Sequence, residues 1–532
     1  MQNTLLQVLP WSSKKKLIFI SNNGSDSNTG EAGEPIRTIE KLNTMDITQN
    51  THILFERGGV YPGTIELNSD GHILNPIEVS AYGTGENPII IGVDTLSGWT
   101  QLNDSVYYAI DDNLLSLYNS DFINDSRCPD TGFYNITYTS SNNKIVGDLP
   151  DYDFIGSKIR IRTNAYTWEV RTISGQSGDT LIFSPTSYSF NDGYFFITDC
   201  RECLSSGEYH YSNDTVYLCS DTTNITVGHY NTGLSLSGDY VNIQNLSFHK
   251  FSQAISTSSH NTTINNCYIQ DCLTSGISLT SSQNLTISNN TIKRIGLIPG
   301  YGTTYAYNNG IYVNQNSSSI TIIRNSVDSV GYNGIRSDGS TTICENNVSN
   351  YCMTKTDGGG VYVINENNPK TICRNYVYSP RVPGNNVGYT SSTSGIYLDD
   401  YSKDVNCYSN IVIGSGGNGI YLHNTLNANI HDNYLSECRL YFRFNSTKYS
   451  NYTNVAQDNY IASETETELE VVSDDFSTNL TLSNKVKTST HTVYINRSTA
   501  IINNVVNKLD FDDNPITDIT LYPYESLILI NP

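Results

Sequence analysis

A small residue followed by an aliphatic one recurs at the head of short alternating segments through the middle of the chain. It occurs at Gly233-Leu234, Ala254-Ile255, Gly276-Ile277, Gly310-Ile311, Gly334-Ile335, Gly360-Val361, Gly395-Ile396 and Gly419-Ile420. Successive small residues lie 21, 22, 34, 24, 26, 35 and 24 positions apart. A period in the low twenties with two long steps is an internal repeat carrying insertions, and so short a unit buries its apolar side only by stacking on its neighbours. In Gly395-Ile396-Tyr397-Leu398-Asp399-Asp400, Ile396 and Leu398 point one way and Tyr397 and Asp399 the other, because strand side chains have period two.

A second column keeps the same register. Asn290, Asn325, Asn346, Asn375, Asn410, Asn433 and Asn459 each stand two residues before Ile, Val or Leu. An amide at one turn of every coil can hydrogen-bond its copy in the next and satisfy buried turn groups along a ladder. The pattern resembles the right-handed parallel β-helix of pectate-lyase-like proteins, whose coils carry such a ladder. The expected fold is therefore all-β, a right-handed parallel β-helix with an N-terminal cap helix and an inserted antiparallel β domain.

Four regions are expected. Residues 1–100 hold the cap and first coils, 101–228 the inserted β-rich domain, 229–465 the main β-helix with its groove, and 466–532 the last coils and closing strands. Pro35 to Leu42, with apolar Ile36, Ile39 and Leu42, suits a short helix plugging the open end of the solenoid. Lys158–Arg162, Thr167–Ile173, Thr180–Phe183 and Tyr194–Thr198 read as strands packed beside the early coils. Glu208 is expected in a hairpin turn, and Asp518 to Ile530 as a closing strand pair.

Charge narrows the partners. With 52 acidic against 30 Lys plus Arg residues, the net charge is −22, and the one basic run is Lys14-Lys15-Lys16. Nucleic acid, which demands clustered cations, is disfavoured, as is an anionic membrane surface. No apolar run reaches the ~18 residues of a membrane span, so no membrane insertion is expected. Met1 to Trp11 lacks the cationic flank and apolar length of a secretory signal. An extracytoplasmic location is expected all the same, the signal being absent from this sequence or export taking another route. The 39 tyrosines suit sugar stacking or the filling of a β-rich solenoid. Cys344, Cys373 and Cys407 share one repeat position, with Cys267 close to it, and are expected as stacked small hydrophobes, with disulfides or metal the minority reading; Cys200 and Cys203 lack the partners of a zinc site.

The two long steps place extra residues at about 295–308 and 378–393, at one angular position of the coil, where loops on a rigid scaffold concentrate function. Between them, the outward face of the opening strands carries Tyr312, Arg336, Tyr362, Tyr397 and Tyr421, then Asn314, Asp338, Ile364, Asp399 and His423. Asp338 and Asp399 fall at equivalent positions two coils apart, about 10 Å at ~4.8 Å per coil, near the ~6.5–9.5 Å of an inverting acid–base pair. Asp357 and Asp400 join the same groove, and crowded carboxylates raise one another's pKa. The candidate catalytic residues are Asp399, Asp357, Asp400 and Asp338. His423, Tyr397, Tyr362, Tyr312, Arg336 and Arg381 are the candidate substrate-binding residues.

Several segments resemble known enzymes. Asn23-Gly24-Ser25-Asp26, Phe55-Glu56-Arg57-Gly58-Gly59 and Ala81-Tyr82-Gly83-Thr84-Gly85 resemble the first coils of bacterial β-helix polysaccharide hydrolases and lyases, and Ser206 to Leu218 resembles the segment before their main coils. Thr356-Asp357-Gly358-Gly359-Gly360-Val361-Tyr362 and Gly395 to Asp400, followed by His423 on the next coil, resemble glycoside hydrolase family 141. That resemblance implies a hydrolase, with α-L-fucosidase and xylanase among the family's activities. The expectation is a monomeric glycoside hydrolase acting on a plant or microbial carbohydrate, with no cofactor and no bound metal. A polysaccharide lyase is the first alternative, with calcium on Asp357, Asp399 and Asp400 and Lys355, Arg336 or Lys403 as base. A non-catalytic glycan-binding β-helix of tail-fibre or adhesin type is the second.

Overall fold

The computed structural model describes residues 15–112, 142–188 except 148, 194–200, 208–219, 225–365, 368–379 and 393–445. It also describes Leu114, Tyr134, Asn135, Leu204 and Thr222, and the strand residues beyond Asn454. All eight repeat heads fall in one parallel sheet of eleven strands running from Ile65–Leu67 to Leu469–Val471. Ile277, Ile311, Ile335, Val361, Ile396 and Ile420 stand in one register line and are fully buried. The other two sides of each coil belong to a sheet of 23 strands. This is the expected right-handed parallel β-helix.

The glycine at seven of the eight heads has a steric cause. A Cβ on Gly334, Gly360 or Gly395 would come under 3.0 Å from Val348, Val377 or Val412 on the facing sheet. The sheets approach each other there too closely for a side chain.

The asparagine column forms the expected ladder. From Asn290 to Asn433, each side-chain amide donates to the Oδ1 of the next asparagine at 2.9–3.0 Å, ending on Asn459. Each Oδ1 also accepts the backbone N–H of the preceding coil's asparagine, as Asn346 does from Asn325 at 3.0 Å. The residues just before the rungs, Asn289, Arg324, Glu345, Arg374, Ser409 and Asp432, have φ between 53° and 59°. The corner thus puts a non-glycine residue in the left-handed region at every coil, a cost of about 1–2 kcal/mol apiece. The ladder's hydrogen bonds offset it.

Several details differ from expectation. The cap helix is Ile39–Asn43, started by Thr38, whose hydroxyl accepts the Lys41 N–H at 3.0 Å, rather than by Pro35. Ile36 instead bridges to Ile20 in parallel. Parallel stacking continues through Leu480–Lys487. Pro515–Leu521 and Ser526–Ile530 do not pair with each other: they flank Ile502–Leu509 on its two sides, and Ser526–Ile530 pairs mainly with His491–Ile495. Glu208 opens the strand Glu208–Ser212, and the turn lies at Asn213-Asp214. Cys344 and Cys373 are not stacked thiols: in register on adjacent coils, they form a disulfide. Cys200 is disulfide-bonded too, whereas Cys267 and Cys407 are buried thiols.

The insertion leaves and rejoins the solenoid through an antiparallel stem, Val93–Thr95 with Thr226–Gly228. Its six-stranded sheet, which includes the four expected strands, has a core of its own around Ile159, Ile161, Ile173 and Phe195. Its described contacts are with the middle coils and not, as expected, with the early ones. The Trp168 indole donates to the Thr354 carbonyl at 3.1 Å, Arg160 to the Gly300 carbonyl at 3.0 Å, and the Thr356 N–H to the Ala165 carbonyl at 2.7 Å. The inserted sheet therefore docks on the middle of the β-helix.

The ladder carries a prediction. Asn346→Ala leaves donors and acceptors on both neighbouring coils without partners, each costing about 1–3 kcal/mol. Chemical unfolding should show a loss of at least ~2 kcal/mol, against a change within ~0.5 kcal/mol for the exposed Asn316→Ala.

Candidate active site

Parallel register builds the floor of the site. Tyr362, Tyr397 and Tyr421 occupy one outward position on the strands Gly359–Val363, Ser394–Leu398 and Asn418–His423. Their rings pack together, with centroids 5.2 Å apart and edge-on for the first pair and 4.6 Å apart and stacked for the second. All three are nearly buried, so Tyr362 and Tyr397 act through their hydroxyls. Tyr362 donates to Asp399 Oδ2 at 2.5 Å and Tyr397 to Asp357 Oδ1 at 3.3 Å.

His423 completes the Asp399 environment from the next coil, with Nδ1 2.7 Å from Asp399 Oδ1 and 3.5 Å from Asp400 Oδ1. Asn424 Nδ2 donates to Asp400 Oδ1 at 2.5 Å. Asp399, Asp400 and His423 offer donor atoms within 4.8 Å of one another, close enough to hold a metal ion.

The two central carboxylates are driven apart electrostatically. Burial, and then the charge of Asp399, push Asp357 up to about 6. Burial also opposes ionisation of Asp399, but the hydrogen bonds from His423 and Tyr362 outweigh it and bring that carboxyl below its ordinary value. For His423, burial works against the charge and the Asp399 hydrogen bond more than compensates, so its pKa is raised. Asp357 has φ 58°, a strained setting for a non-glycine residue, and Tyr332 holds its carbonyl through a 2.9 Å hydrogen bond.

A cavity of about 610 Å³ lies over this group. Asp338, Asp357, Asp399, Asp400, Arg336, Tyr362, Tyr397 and His423 all line it. Asp338 stands two register positions from Asp399 as expected, yet its carboxylate is engaged by Arg336, with Nε at 2.9 Å and Nη2 at 3.2 Å. Arg336 is sandwiched between the Tyr305 and Tyr362 rings, 4.7 Å from each centroid. Tyr312 does not line the cavity; its hydroxyl supports Asp338 from behind at 3.3 Å. Arg381 lies outside the described residues, as does most of the second long loop.

Tyr166, Tyr305 and Tyr332 also line the cavity and were not singled out from sequence. Tyr305 belongs to the first long loop, which located it without naming it. Tyr166 comes from the inserted sheet, and nothing in the repeat register points to it.

Comparison with known proteins agrees on the fold. Residues 189–348 match the family model described as right handed beta helix region. A solved structure named a glycoside hydrolase is 13% identical, with 79% of this chain and 96% of that one covered and a TM-score of 0.54. A structure of XylC with xylose is 10% identical, covers 97% of this chain and 100% of its own, and gives a TM-score of 0.52. At these identities the likeness shows the fold alone. No curated protein matches.

The raised Asp357 has a measurable consequence. Its ionisation inside the fold is harder than in the unfolded chain, so stability is lost as pH rises from the ordinary 3.8 through about 6. Asp357→Asn should therefore stabilise the protein above pH 6 by about 2–3 kcal/mol, with the gain vanishing near pH 4. Denaturant unfolding at the two pH values measures the difference.

Proposed function

We propose that the chain is a glycoside hydrolase in which Asp357 is the general acid and Asp399 the ionised partner. One observation carries the reading: two carboxyl groups share one cavity, and their surroundings shift their proton affinities in opposite directions. Opposed shifts of this kind mark acid and base assignments.

Asp357 gives its proton to the glycosidic oxygen as the C–O bond breaks. The Asp399 carboxylate faces the positive charge developing on the sugar ring and takes the proton of the water that bonds to the anomeric carbon. Tyr362 and His423 keep Asp399 ionised and aimed, while Tyr397 and the strained backbone hold Asp357. The inserted sheet contributes by pinning Thr356, the residue before the acid, through the Ala165 carbonyl and the Arg162 side chain. The Arg336–Asp338 pair, with Gln315 and Asn365 on the same wall, offers polar groups for sugar hydroxyls.

The likeness in fold to a glycoside hydrolase and to XylC with xylose supports the same reading. The resemblance of Thr356–Tyr362 and Gly395–Asp400 to glycoside hydrolase family 141 makes fucosides and xylans the first substrates to test. An extracytoplasmic setting belongs to this proposal, and the Cys344–Cys373 disulfide suits an oxidising compartment.

A calcium-assisted lyase finds less support. Asp399, Asp400 and His423 could gather a cation, but the proposed bases do not fit. Lys355 is fully buried, its Nζ donating to the Thr304 carbonyl at 2.6 Å, and it does not line the cavity. Lys403 is absent from the lining as well, and Arg336 is held by Asp338.

Product analysis on fucosides, xylans and mixed cell-wall polysaccharides tests the proposal. Saturated reducing sugars should appear with or without EDTA, and Asp399→Asn or Asp357→Asn should lower kcat by about 10²–10⁴. Because the acid must carry its proton, activity should fall as pH rises through about 6. Unsaturated uronate products lost on adding EDTA would replace the hydrolase with the lyase.

A further inference from the structure

The cavity over Asp357 and Asp399 has a neighbour. A second one, of about 550 Å³, lies between the inserted sheet and the loop of residues 298–307, and the two share Tyr166 and Tyr305 as lining. Each falls within the ~300–1,000 Å³ that holds one small ligand, so together they accommodate more than a single sugar ring.

Tyr166 joins them electrostatically as well as sterically. Its hydroxyl is held above its usual pKa by burial first, then by Tyr188 in the second cavity and by Asp357 and Asp399 in the first. The strongly exposed tyrosines among the described residues are Tyr188 (46%), Tyr305 (52%), Tyr307 (40%) and Tyr401 (39%). Three of these four line the two cavities. Exposed rings gathered along one cleft are platforms for the apolar faces of sugar rings.

The Tyr188 platform is held in place. The buried Glu169 carboxylate accepts the Ser187 N–H at 3.0 Å and the Tyr188 N–H at 3.3 Å, and Arg171 pairs with it at 2.5 Å. The other basic side chains among the described lining are likewise held by carboxylates, Arg336 by Asp338 and His423 by Asp399. A chain of uronates would meet this acidic cleft in a protein of net charge −22, so the chemistry favours a neutral glycan.

We propose that the cleft continues past Tyr166 and Tyr305 into the second cavity, where Tyr188 binds further units of a neutral glycan chain. The inserted sheet is then a binding wall for chain length. This rests on the carbohydrate reading of the site, but not on the hydrolytic step.

Calorimetric binding to the Asp399→Asn protein, with and without Tyr188→Ala, tests it. The probes are disaccharides and hexasaccharides of the xylo-, cello- and manno- series, with an oligogalacturonate hexamer as the charged comparison. A neutral hexasaccharide should bind more tightly than its disaccharide, and Tyr188→Ala should cut that advantage about threefold to tenfold. Tyr188→Phe should restore most of it. Equal losses for both lengths, no loss, preference for the oligogalacturonate, or no binding by any hexasaccharide would overturn the proposal. Length-dependent binding by a wild-type protein that releases no sugar would remove the hydrolase reading and leave this one standing.

Discussion

Everything in this molecule depends on the asparagine ladder at one corner of the coil. A solenoid grows by adding units, and each unit must return its chain to the same place one strand spacing further on. The corner achieves this with a left-handed residue followed by an asparagine whose side chain and backbone both bond to neighbouring coils. Burying those amides without partners would cost more than the turn geometry does, so the ladder locks the register from Asn290 to Asn459.

That locked register produces the chemistry. Equivalent outward positions on successive coils lie one strand spacing apart, so Tyr362, Tyr397 and Tyr421 are forced into contact, and Asp399 and His423 meet from adjacent coils. Here, burial raises Asp357, while donors from two coils hold Asp399 ionised. The inserted sheet closes the arrangement from above, fixing the segment before Asp357 and bringing Tyr166 over the carboxylates.

Much of this was readable from residue spacing. The repeat heads, the ladder and the clustering of Asp357, Asp399, Asp400 and His423 on one face follow from period-two strands stacked at a constant step. Which aspartate Arg336 takes did not follow from spacing, because the choice of Asp338 over Asp357 depends on side-chain direction rather than on register. The Cys344–Cys373 disulfide was ranked behind stacked thiols for a related reason: shared repeat position announces proximity, and does not distinguish stacked thiols from a bond.

The repeat alone determined that this chain winds into a parallel β-helix and which aspartates share a groove, since short-range periodicity is translated directly into stacking. Where the inserted sheet docks, that Tyr166 and Tyr188 border the cleft, and which carboxyl group holds its proton more tightly were decided only by tertiary structure. Those outcomes depend on contacts between segments nearly two hundred residues apart, such as Arg162 with Thr356, and on the burial those contacts create. No local pattern encodes either.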